Sequence, residues 1–151
     1  CPTARGLEEA AQVTRFKPGP GRDITDIIFD AEFAEIVGTC EIYDDEIEVE
    51  LKLVILANRG SADNSRTASF AIILAVVDLE RNFLVHKGKA LRRKFDGGVE
   101  FPGNQSRVTY TDEFELTIPM KSGQSADDFL IFISFELSAG ELAYNRSRIH
   151  Q

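Results

Sequence analysis

The chain reads as an all-β protein, an antiparallel immunoglobulin-like β-sandwich of about six to eight strands closed by a short C-terminal helix. Three observations predict it. Apolar residues recur with period two over several separate stretches; clusters of Gly, Pro, Asn, Asp and Ser divide those stretches; and no long 3.6-period stretch or strand–helix–strand alternation occurs. At 151 residues, one domain buries about 70% of the surface its unfolded chain exposes, enough for a single core. No internal repeat is visible, which disfavours propellers and solenoids.

Residues 1–22 stand apart. Pro2, Gly6, Pro18, Gly19, Pro20 and Gly21 punctuate a segment with little apolar periodicity, so it is expected to be an N-terminal tether ahead of a sandwich domain over 23–151. Val13 and Phe16 are candidates to dock on that domain. The first strand follows, with Ile27, Phe29, Ala31 and Phe33 on one face and Asp30 and Glu32 on the other. Its phase breaks near Ile36, Val37 and Gly38 before Cys40 and Ile42 resume, which predicts a bulge or turn at Gly38. The cleanest alternation in the chain sets Ile47, Val49, Leu51, Leu53 and Ile55 against Glu46, Glu48, Glu50 and Lys52.

Asn58 to Arg66 has the composition of a loop. Phe70 to Val77 is apolar on both parities, and with Phe83, Leu84 and Val85 across a short connection it predicts a hairpin. Val108, Tyr110, Phe114, Leu116 and Ile118 share a parity until Pro119 ends their strand. In the last strand Phe129, Ile131, Ile133, Phe135 and Leu137 face one way, while Leu130 and Phe132 make the other side apolar as well. A strand apolar on both faces needs a cover, supplied by the chain's own flanks or by another protein. Finally Ser138, with Glu141 three residues on, matches a capping box and starts a helix through Leu142, Ala143 and Tyr144.

Charge and composition exclude whole classes of function. A net charge of −8 repels nucleic-acid backbones. No run reaches the ~18 apolar residues of a transmembrane helix. His86 and His150 with Cys1 and Cys40 do not make a zinc site, and no metal ligand set is assigned. No G-x-S-x-G elbow places a nucleophile near a base, so no catalytic residue is assigned either. Glu41, Asp44, Asp45, Glu46, Glu48 and Glu50 place six acids within ten residues and could offer oxygens to calcium, although strand alternation explains Glu46, Glu48 and Glu50 as one solvated face.

Two features remain. The chain begins at Cys1 with no Met and no basic or apolar leader segment before it, which is the expected result of lipoprotein processing: a cysteine diacylated on sulfur and acylated on its amino group. That covalent lipid is the one cofactor-like group expected, and Cys40 would then be an unpaired, buried thiol. The alternatives are a chain trimmed to begin at this residue, or a secreted chain in which Cys1 pairs with Cys40. The second feature is a basic strip, Lys87, Lys89, Arg92, Arg93 and Lys94, which serves either as edge-strand protection or as contact with an acidic partner or lipid phosphates.

Together, Cys1-Pro2, the run from Arg15 to Asp23, Gly38-Thr39-Cys40-Glu41 and the ending from Phe135 to Arg146 resemble small alphaproteobacterial envelope lipoproteins. The resemblance spans most of the chain and carries no catalytic motif. It implies a lipid anchor at Cys1, a periplasm-facing domain and outer-membrane residence. The expected function is that of a lipid-anchored, non-enzymatic accessory subunit of an envelope membrane complex, binding a protein partner. The alternative is a periplasmic module for a small ligand, lipid or glycan held between the sheets. The Asn104-Gln-Ser106 and Asn145-Arg-Ser147 sequons would matter only in a eukaryotic secreted chain.

Overall fold

A computed structural model describes residues 1–80, 83–85, 90–94 and 98–149. The described chain is an all-β sandwich with one terminal helix. Its strands in order are β1 (Thr3–Gly6), β2 (Gln12–Phe16), β3 (Ile27–Ile42), β4 (Glu46–Arg59), β5 (Thr67–Ala68), β6 (Ala71–Asp78), β7 (Phe83–Leu84), β8 (Leu91–Lys94), β9 (Val99–Glu100), β10 (Arg107–Pro119) and β11 (Phe129–Phe135), with helix α1 over Ala139–Ile149. One sheet runs β1-β11-β6, with β7 and β8 both pairing to the far side of β6; the other runs β10-β4-β3-β2; β5 and β9 form a separate pair.

The second sheet follows the alternation of its sequence. Ile47, Val49, Leu51, Leu53, Ile55 and Ala57 of β4 point inward and are buried, while Glu48, Glu50 and Lys52 are exposed between them. β10 aligns antiparallel with β4 over its whole length, so Leu116 and Ile118 join the same inner layer. In the first sheet, β11 pairs antiparallel with β6, and Ile131, Ile133 and Phe135 share one core with Phe29 and Phe33 of β3 in the opposite sheet and with Phe70, just before β6. The rings of Phe33 and Phe135 stack at 4.4 Å, and that of Phe70 meets Phe135 edge-on at 5.4 Å. The expected hairpin of β6 and β7 is present, with Val77 opposite Leu84. The capping box forms as well: Glu141 N–H donates to Ser138 Oγ at 3.1 Å, and Ser138 N–H to Glu141 Oε1 at 2.9 Å.

Three expectations need correction. The expected tether belongs to both sheets: β1 pairs parallel with β11, Thr3 opposite Leu130, and β2 pairs antiparallel with β3. Its longest stretch without regular structure is Lys17 to Arg22, as the Pro and Gly residues there require. β1 was not legible from periodicity because Thr3-Ala4-Arg5-Gly6 contributes a backbone ladder and little apolar surface.

The irregularity in β3 lies between Phe33 and Glu35, where Ala34 is the extra residue. Ile36 is already on the new inward parity, so the shift has to precede it. Gly38 and Cys40 then continue as regular strand, opposite Leu51 and Val49.

The third correction concerns sulfur. Cys1 and Cys40 form a disulfide, with their Cα atoms 5.7 Å apart. Cys40 is therefore not the unpaired core thiol expected, because β1 carries Cys1 across to β3 in the opposite sheet.

The loop after β4 is organised by Asp63, a buried carboxylate that accepts from Arg59 Nε at 2.7 Å, Ser65 N–H at 3.1 Å, Ser65 Oγ at 2.9 Å and Arg66 N–H at 2.9 Å. Burial raises its pKa, but the Arg59 guanidinium and the donors of Ser65 and Arg66 prevail and hold it down at about 2. The same donors fix Arg66 at φ 59°, the left-handed region that side chains rarely adopt. Before this turn, Gly60 passes so close to β3 that a Cβ would sit 2.0 Å from the Ile27 carbonyl oxygen.

Candidate functional site

The basic strip is placed in part. Lys87 and Lys89 lie outside the described residues, as do His86 and His150. Arg92, Arg93 and Lys94 form β8, which pairs along β6 with Arg92 opposite Ile73 and Lys94 opposite Ala71. Strand alternation sends the two arginines to opposite faces. Arg92 lies on the outer face and pairs with Glu136, donating from Nη2 to Oε1 at 3.0 Å and from Nε to Oε2. That bond raises the arginine's pKa and lowers the glutamate's.

Arg93 points inward and bridges the sheets. Its Nε donates to Asp112 Oδ2 at 2.5 Å and its Nη2 to Oδ1 at 2.8 Å, with the guanidinium 5.3 Å over the ring of Phe114. Hydrogen bonding to Asp112 raises the pKa of Arg93. The sequence carries a signal for this brace: Asp112 sits on the inward parity of β10 between Tyr110 and Phe114, so a buried acid needs a cation from a facing element. Of the cations expected to meet a partner, these two are therefore engaged with carboxylates of their own chain.

The two outer faces differ in chemistry. On the outer side of β6 and β11, Ile73, Ala75, Val77, Leu130 and Phe132 form a contiguous, half-buried apolar strip, set by the register that places Leu130 opposite Val77 and Phe132 opposite Ala75. Arg5 of β1 lies across Phe132 at 5.2 Å, and Arg92 and Lys94 stand on the other flank. The strip therefore has a cationic rim. The expected cover by the chain's own flanks takes a different place: α1 packs on Glu8–Ala10 and β2, where Asn145 Nδ2 donates to the carbonyls of Glu9 at 2.9 Å and Gln12 at 2.7 Å. Arg146 adds a 2.8 Å ion pair with Glu9.

The outer face of the other sheet is acidic. Register sets Glu41 directly opposite Glu48 and Glu50 directly opposite Glu115, with Lys52 beside Glu113. Like charges facing each other across a ladder are destabilising. At the adjoining hairpin the Tyr43 hydroxyl donates to Glu41 at 2.6 Å, and this bond, with the field of Glu41, Glu48 and Glu46, pushes its pKa up to about 12. Ile42 and Tyr43 are exposed there, at 57% and 45%. Among the described residues, no group of three or more His, Cys, Asp or Glu side chains is placed to hold a metal ion.

Grooves on the surface are open and mixed in polarity. One of about 340 Å3 runs over the acidic face between Thr39, Glu50, Lys52 and Glu113. Another of about 430 Å3 lies between β2 and α1, beside the 2.9 Å Arg15–Glu141 pair. The space between the sheets is filled by Phe29, Phe33, Phe70, Phe135 and the aliphatic side chains around them. Among the described residues, no helix is long and apolar enough to cross a membrane. No family model, curated protein or solved structure matches the chain.

Proposed function

We propose that this chain is an exported, non-enzymatic interaction subunit that docks a protein partner of an envelope membrane complex on the outer face of the β1-β11-β6 sheet. One observation carries the reading: Ile73, Ala75, Val77, Leu130 and Phe132 align as an apolar strip on the solvent side of two central strands, while α1 docks elsewhere. Apolar surface of this kind on a sandwich marks an interaction site. Arg5 on one flank and Lys94 on the other, with Arg92 already paired to Glu136, favour a partner whose apolar contact is bordered by carboxylates. A small-ligand module gains no such support, since the inter-sheet space it would use is occupied by aromatic rings.

The Cys1–Cys40 disulfide supports export, because such bonds persist in oxidising compartments. The sulfur of Cys1 has one valence to give, so a disulfide to Cys40 and a thioether to lipid exclude each other. In the disulfide form, attachment to the membrane comes through the partner. Intact mass of the chain from its native source separates the two forms, since acylation adds hydrocarbon mass and the disulfide removes two hydrogens.

The docking face is tested by charge. Ile73→Asp with Phe132→Asp is expected to leave circular dichroism unchanged and to abolish co-purification of the partner from detergent-solubilised native membranes, while Lys52→Ala on the opposite face preserves it. A wild-type chain that repeatedly returns alone, or a double variant that keeps its partner, overturns the proposal.

A further inference from the structure

The attachment of β1 is unusual. It is the parallel strand of an otherwise antiparallel sheet, spans only Thr3 to Gly6, and pairs on one side alone, along the edge of β11. Thr3 and Arg5 are exposed and Ala4 is half-buried, so side-chain burial contributes little to its hold. What fixes it is the ladder, the Leu7 N–H donating to the Ile133 carbonyl at 3.0 Å, Arg5 lying over Phe132, the buried Pro2, and the disulfide to β3.

Immediately downstream the chain is clamped by separate means. Asn145 holds the carbonyls of Glu9 and Gln12, and Arg146 holds the Glu9 carboxylate. The segment able to leave as a unit is therefore residues 1–7. The strand it covers, Phe129-Leu-Ile-Phe-Ile-Ser-Phe135, is apolar on both faces, and an unpaired edge of that kind accepts another strand.

We propose that the β11 edge is a strand-acceptor site gated by the Cys1–Cys40 disulfide, and that on reduction it takes β1 from a second copy of this chain. The occupant is defined by the seat itself, since Thr3 to Gly6 already fits this edge in parallel register. Cys1 is exposed and Cys40 half-buried, so a dithiol reductant reaches the bond. The chemistry is thiol–disulfide exchange: the reductant's thiolate attacks one sulfur, the Cys1–Cys40 bond breaks, two electrons reduce the pair to two thiols, and the reductant becomes a disulfide. Reoxidation after strand exchange joins Cys1 of one chain to Cys40 of the other, the exchange of an identical element that builds swapped dimers.

Hydrogen exchange on the full chain, oxidised and dithiothreitol-reduced, tests the gate. Reduction is expected to speed exchange at Thr3 to Leu7 by about tenfold or more while the amides of β4 stay within about twofold. A 1:1 mixture of unlabelled and 15N-labelled chains, reduced together, freed of reductant and reoxidised with oxidised glutathione, which leaves as two reduced glutathiones per disulfide formed, tests the occupant. Mixed-label Cys1–Cys40 peptide pairs should exceed Cys1–Cys1 and Cys40–Cys40 pairs and rise with protein concentration. Unchanged exchange at β1 overturns the proposal, as does β4 opening together with it, and so does a reoxidised product with no mixed-label Cys1–Cys40 pairs or with Cys1–Cys1, Cys1–Cys40 and Cys40–Cys40 pairs in the proportions of random thiol pairing.

Discussion

Asp63 offers the sharpest energetic test of how the loop after β4 is built. Asp63→Ala removes a buried acceptor that serves four donors and leaves the amides of Ser65 and Arg66 without their partner in a turn whose other residues are exposed or half-buried. Hydrogen bonds to charged groups contribute about 1.5–3 kcal/mol each, but four on one carboxylate are not additive, and water reaches part of the site after truncation. An expected loss of about 3 kcal/mol follows, including release of Arg66 from its positive φ. With about 2–4 °C of Tm per kcal/mol for a chain of this size, that is a fall of about 6–12 °C.

The pH dependence supplies an independent sign. The folded pKa of about 2 lies below the ordinary 3.8, so ionised Asp63 stabilises the fold above pH 4, and that contribution fades as pH falls through 2. The shift corresponds to about 1–2 kcal/mol once solvent screening around the partly exposed Arg59 is discounted. Urea denaturation of wild type and Asp63→Asn at constant ionic strength should show a gap that is constant from pH 7 to 5 and narrows toward pH 2. A loss below about 0.5 kcal/mol for Asp63→Ala, or a gap indifferent to pH, would refute the hub.

Other perturbations separate the remaining roles. Arg93→Ala should cost more than Asp112→Ala, about 2 against about 1 kcal/mol by urea denaturation, because it strands a carboxylate that is 5% exposed, whereas the guanidinium can turn to water. Ile131→Ala, at the centre of the core, should cost about 3–4 kcal/mol in the same assay. Gly60→Ala should yield insoluble protein or lose about 3 kcal/mol, since its Cβ would meet the Ile27 carbonyl. Glu50→Lys, which turns the facing pair with Glu115 into an ion pair, should raise stability by about 0.5 kcal/mol at low salt and by less at high salt.

What the sequence made legible was whatever rests on local periodicity. β4, β10 and the capping box follow from alternation and from a three-residue spacing, because one face of each element is buried and the other is wet. Long-range pairing was hidden. Nothing in Thr3-Ala4-Arg5-Gly6 marks a strand, because its stability comes from a ladder to a segment at the far end of the chain. The Cys1–Cys40 link depends on that same crossing. The bulge at Ala34 was readable in principle from the parity of Ile36. So was the brace at Asp112, an acid on an inward parity, although its partner Arg93 looked like one member of a charged surface run. The apolar outer strip was visible as doubled apolarity in β6 and β11, but which element would cover it depended on where α1 docked.

Pairing Thr3 with Leu130 also sets an order of events during synthesis. Ribosomal elongation at about 5–20 residues per second places β11 some 5–20 s behind Cys40, so β1 waits that long for its edge. The β3–β4 hairpin can form within microseconds of emerging. Where the chain enters the oxidising compartment as it is made, the disulfide can hold β1 beside β3 during that interval, turning a slow search across the whole chain into a short local one and keeping the late-arriving strand from meeting a neighbouring nascent chain first.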